Sequence, residues 1–133
     1  MMLPFSTSPA QRFALALGLS LLGGSLGFAQ ATDDASARGN RMAYDASMKC
    51  FVVDTRLSAL RKRAGDDAKA GYYDDKSKAA FDAAVALGLK IGRSRDEIER
   101  DFNVVQVREL PELLRDDGYL RDAIATCKAL GLT

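Results

Sequence analysis

Residues 41–65 read RMAYDASMKCFVVDTRLSALRKRAG, and their apolar spacing is helical. Ala46, Cys50, Val53, Leu57, Leu60 and Ala64 recur at alternating steps of four and three, which lines one face of an α-helix. Tyr44, Met48, Phe51 and Val52 widen the stripe in its N-terminal half. Gly65 stands where a left-handed C-terminal cap belongs. The cationic turn Arg61-Lys62-Arg63 before it suits the negative end of the helix dipole.

Downstream, Asp66 to about Asp75 reads as a connection, with Gly71 and paired acids inside it. A second helix is expected from Asp74 or Asp75 to about Ile91. Its face is alanine-rich (Ala79, Ala80, Ala83, Ala84, Ala86), with Phe81 and Leu87 for bulk, and Gly88 reads as the mark of a tight crossing. Gly92 ends that helix, and Ser94-Arg95-Asp96-Glu97 is a capping box that opens a third, striped by Ile98, Phe102 and Val105. Pro111 is expected to bound the third helix, with Leu110-Pro111-Glu112 starting the next. Asp116-Asp117-Gly118 reads as a break, and Leu120, Ala123, Ile124, Cys127 and Leu130 form the last stripe. No strand alternation occurs, although Asn103–Val107 (NVVQV) is β-prone. The pattern predicts an all-α bundle of about four helices with short loops.

Upstream, a short segment with one cation, Arg12, precedes an uncharged stretch, Phe13–Phe28. Ala29-Gln30-Ala31 follows, an A-x-A cleavage pattern, so residues 1–31 read as a secretory signal peptide. The rival is an uncleaved membrane anchor. The uncharged stretch is 16 residues long and holds four glycines, whereas a spanning helix takes about 20 apolar residues. The expected organisation is a leader (1–31), a flexible mature N-terminus (32–40) and a helical bundle domain (41–133), delivered to the periplasm or secreted, with no stable membrane span after cleavage.

Removing 31 of 133 residues takes away one cation and no acid, so the mature chain carries 18 Lys+Arg against 18 Asp+Glu. That balance argues against a nucleic-acid partner, which calls for a basic face. Cys50 and Cys127 are the only cysteines. Two such residues in an exported chain read as one disulfide, in a reducing cytosol as two buried thiols.

The chain contains no histidine, so serine triads and histidine-activated cysteines lack their base. Two cysteines that are not C-x-x-C do not make a redox pair or complete a zinc site, so no metal and no cofactor is expected. The acid pairs Asp66-Asp67, Asp74-Asp75 and Asp116-Asp117 read as caps and turns. Tyr72-Tyr73 beside Asp74-Asp75 is the one aromatic pair outside a stripe, and it is the candidate interaction surface.

The layout resembles small exported bacterial two-cysteine helical proteins of unknown function. The likeness lies in a cysteine in the first helix (Ala46-Ser47-Met48-Lys49-Cys50), an alanine-rich middle helix (Ala79–Leu89) and a cysteine near the C-terminus (Ala125-Thr126-Cys127). The plan is also similar to periplasmic acid-stress chaperones. The resemblance implies no activity and no site residues. The functional expectation is a non-enzymatic exported protein that works on an unidentified protein partner or as a small chaperone. The alternatives are a carboxylate-dependent cell-envelope hydrolase, or a small-molecule carrier with Met42, Met48 or Tyr44 near its ligand.

Overall fold

The computed structural model describes the backbone of residues 22–133 and the side chains of residues 33–133. Residues 1–21, with the charged start and much of the apolar stretch of the expected leader, lie outside the described residues. The chain divides into two units, Met1–Ser36 and Ala37–Thr133. The described part of the first unit is helical backbone.

Four α-helices, and no strand among the described residues, make the fold: α1 (Leu22–Arg63), α2 (Asp67–Lys90), α3 (Arg95–Arg115) and α4 (Asp117–Ala129). The expected all-α architecture is present, and so is the staple. Cys50 on α1 and Cys127 on α4 form a disulfide with Cα atoms 5.6 Å apart, both side chains buried. The stripe that opened the sequence reading faces the core of the second unit through Tyr44, Met48, Val53 and Leu57. On α2, the small residues Ala80, Ala84 and Gly88 lie one helical turn apart on the buried face. At Gly88 the approach is close: a Cβ there would stand 2.7 Å from Ile98 Cδ1 and 2.8 Å from Tyr44 Cε2.

The caps are where the residue types place them. Gly65 takes φ +75°, and the Asp66 N–H reaches back to the Arg61 carbonyl at 3.0 Å, closing α1. Ser94 and Glu97 form the reciprocal capping box at the start of α3. Asp116 ends α3 and also caps α4, its side chain accepting from the N–H groups of Gly118 and Tyr119.

Three boundaries differ from the sequence reading. Residues 32–40, expected to be flexible, have helical backbone, with Asp33 to Gly39 exposed. The segment has no proline and no buried stripe, so periodicity gives no sign of the helix, and only Ala35, Ala37 and Arg38 in it are strong helix formers. The second helix begins at Asp67 rather than near Asp74, because Asp66, not the later acids, is its cap: its side chain accepts from the Lys69 N–H at 3.2 Å. Gly71 and the tyrosine pair are therefore helical. Finally, α3 runs through Pro111. The ring costs one backbone hydrogen bond, but Leu113, one turn beyond Glu109, is fully buried and keeps the helix on the core. The β-prone Asn103–Val107 is helical throughout.

Candidate functional site

The expected interaction residues sit on α2, not on a loop. Tyr72 is exposed, and Tyr73 packs against the core, its ring centroid 5.2 Å from that of Tyr72. Asp74 is paired with Lys62 at 2.9 Å, and Asp75 is exposed. The four residues thus divide among core edge, ion pair and solvent and do not converge on one point.

A different surface collects unpartnered apolar groups. α3 buries Ile98, Phe102, Val105, Glu109 and Leu113. On its other side Val104, Val107, Leu110 and Leu114 are 61%, 77%, 40% and 53% exposed. Val104, Val107, Pro111 and Leu114 are spaced three, four and three apart, so they form a second stripe opposite the buried one. Local sequence patterns hide it, because a proline boundary at Pro111 splits the helix. The signal was the 3-4-3 spacing itself, legible once the helix is carried through the proline.

Beside this face, a cleft of about 790 Å³ opens between α2 and α3. Phe81, Val85, Leu89, Ile98 and Phe102 make its apolar wall, with Arg95 among the residues at its edge. Phe81 stacks on Phe102 at a centroid distance of 4.8 Å, and Phe51 meets Phe102 edge-on at 5.2 Å. The methionine and tyrosine proposed for a carrier lie elsewhere: Tyr44 and Met48 are buried in the core, and Met42 is exposed.

Besides Ser47, which donates to the Ala43 carbonyl, and Ser58, the buried and half-buried polar side chains between elements form three sets. Tyr44 donates to Asp101 at 2.8 Å, and Arg93 holds both Asp101 (2.7 Å) and Glu97 (3.2 Å), tying α1 to the start of α3. Burial and the Asp101 hydrogen bond push the Tyr44 hydroxyl up to about 12. Glu109 accepts from the Tyr119 hydroxyl and from Arg108 Nε at 2.8 Å, with Lys49 Nζ at 3.4 Å. Burial alone pushes the Glu109 carboxyl up, but the Tyr119 and Arg108 hydrogen bonds and the Lys49 charge outweigh it and hold it below the ordinary range. Asp54 is fully buried on α1. Its Oδ1 accepts from Thr133 Oγ1 at 2.7 Å, and its Oδ2 has no partner.

Most of these acids are thus engaged as caps, ion pairs or hydrogen-bond acceptors. Among the described residues, no group of three or more His, Cys, Asp or Glu could hold a metal ion. No described helix is long and apolar enough to cross a membrane. The chain matches no family model, no curated protein and no solved structure.

Proposed function

We propose that this chain is a non-enzymatic exported protein, periplasmic or secreted, that acts by presenting a helix surface to another protein, as a binding module or a small chaperone. The observation that carries the reading is the outer face of α3. There Val104, Val107, Leu110 and Leu114 stay exposed along one helix, although a single surface leucine would call for no explanation. Export is supported by the signal-like leader, and the Cys50–Cys127 disulfide suits an oxidising compartment. The engagement of Glu109, Asp66 and Asp116 in structural hydrogen bonds weighs against the carboxylate-hydrolase alternative.

The test is site-specific photo-cross-linking in cells that export the protein. A photoreactive residue at Val107 is expected to capture envelope proteins, and the same residue at Ala125, exposed on α4, to capture none. Equal capture at both positions, or none at Val107, overturns the reading.

A second reading has its own observation, the apolar cleft between α2 and α3. Its volume falls in the usual range for small-ligand pockets, about 300–1,000 Å³. A carrier working there binds an apolar probe dye that Leu89→Glu releases. Dye binding unchanged by that substitution removes the carrier reading.

A further inference from the structure

We propose that the outer face of α3 docks an amphipathic helix whose apolar stripe is bordered by carboxylates. The inference rests on the reading that the protein works through a helix surface, and it names the chemistry of the partner.

Val104, Val107, Pro111 and Leu114 follow the 3-4-3 spacing of a two-helix seam. Ten residues of helix separate the ends of this seam, about 15 Å at 1.5 Å per residue, which a partner helix of roughly three turns covers. The opposite face of α3, through Phe102, Val105 and Leu113, is already committed to the core, so the seam is free to meet something outside the second unit.

Charge then selects the occupant. Arg108 and Arg115 each directly follow a seam residue, Val107 and Leu114, and Glu112 directly follows a third, Pro111. Over residues 104–115 the two arginines outnumber Glu112 on this border, and the opposite border, Asn103 and Leu110, is uncharged. The side chains of Arg108 and Arg115 are 64% and 72% exposed. Each spends part of its donor set on a neighbouring acid: Arg108 uses Nε on Glu109, and Arg115 uses Nη2 on Glu112. A guanidinium has five N–H donors, so both retain donors for a carboxylate from outside. Glu109 points inward, held by Tyr119 and Lys49, so over residues 104–115 Glu112, already bonded to Arg115, is the one acid on this border.

A second copy is the poorer fit. Two α3 seams laid antiparallel set one arginine border against the other, which repels. A helix with Glu or Asp beside its apolar stripe meets the same border with opposite charge.

The experiment uses the full chain with its disulfide intact and two labelled synthetic helical peptides. Both carry the same leucine stripe; one has Glu on both borders, the other Lys. Fluorescence anisotropy is expected to show the Glu peptide binding tighter by on the order of tenfold, with the gap narrowing as salt rises. Arg108→Glu with Arg115→Glu is expected to reverse the preference. Val107→Glu is expected to abolish binding of both peptides while leaving thermal unfolding unchanged, because that side chain is exposed. Equal binding of the two peptides, or a preference that survives the charge reversal, overturns the proposal. So does self-association that Val107→Glu removes, which makes a second copy the occupant, and so does co-sedimentation with phosphatidylglycerol vesicles that the same variant removes. Cross-links at Val107 that persist without any peptide preference reject the acidic helix and leave the wider reading standing. Loss of both rejects both.

Discussion

Asp54 and Glu109 are both buried carboxyls, and their surroundings give them opposite roles. Asp54 has one good hydrogen bond, from Thr133, and one bare oxygen. Burial pushes its carboxyl up to about 6, against the Thr133 hydrogen bond and the Lys76 charge. An unfolded aspartate titrates near 3.9, so the folded chain holds the extra proton between about pH 4 and pH 6, and stability falls as pH rises through that window. Asp54→Asn keeps an acceptor for Thr133 and removes the buried charge. It is expected to raise stability by about 1–2 kcal/mol at pH 7.5 and to give no gain at pH 4. Urea unfolding at the two pH values checks this, and a loss at pH 7.5 would show that the charge is stabilised by something else. For Glu109 the sign is reversed. Its folded carboxyl is held low, so its contribution is present above the ordinary carboxylate range and is lost as pH falls through it. Glu109→Gln is expected to cost about 1–3 kcal/mol at pH 7, since Lys49 and Tyr119 lose an ionised partner. The cost should shrink when the same melts are run near pH 3.

At the scale of elements, two residues decide how the helices lie. Gly88 lets α2 approach Tyr44 and Ile98 closely. Alanine has the better helix propensity by about 1 kcal/mol, yet its Cβ has no room, because Tyr44 is fixed by its hydrogen bond to Asp101. Gly88→Ala is therefore expected to destabilise by about 1–2 kcal/mol net, read as a lower melting temperature. An increase would mean that Ile98 yields freely. Pro111 lies on the exposed side of α3, where nothing in the core needs its ring. Pro111→Ala is expected to stabilise the chain by about 1–3 kcal/mol through the restored hydrogen bond and the relieved clash. These two positions also show what the sequence makes legible. Gly88 reads as a tight crossing because a glycine amid alanines has little other use, and the structure gives it that role. Pro111 reads as a boundary because local preference favours one. The burial of Leu113 overrides that preference, and buried partners are not visible in a local window. The same override hid the outer stripe of α3. It also moved the tyrosine pair from an expected loop onto α2, since the choice between Asp66 and Asp74 as the cap depends on where the preceding helix ends.

At the scale of the whole molecule, the core of the second unit is modest. α2 contributes mainly alanines to it, so much of its buried surface comes in small pieces. The covalent tie between Cys50 and Cys127 therefore carries a large part of the stability. It joins residues 77 apart in sequence and links the first helix to the last. Closing a loop of that length restricts the unfolded chain by roughly 4 kcal/mol in the chain-entropy model, against a total of about 5–15 kcal/mol for a typical domain. Reduction, or Cys50→Ala with Cys127→Ala, is expected to lower the urea midpoint by about 2 M, for a slope near 2 kcal/mol per M. The reduced chain should keep the acceptor pattern around Glu109, because Lys49, Arg108 and Tyr119 reach it without the sulfurs. The outer face of α3 uses neither cysteine, so peptide binding at Val107 should survive reduction at low denaturant, and the staple should govern how long the surface lasts rather than what it binds. A midpoint unchanged by reductant would place the stability in the helix packing instead. Binding that vanishes with the disulfide, in a chain whose circular dichroism remains helical, would mean that the bond shapes the surface itself.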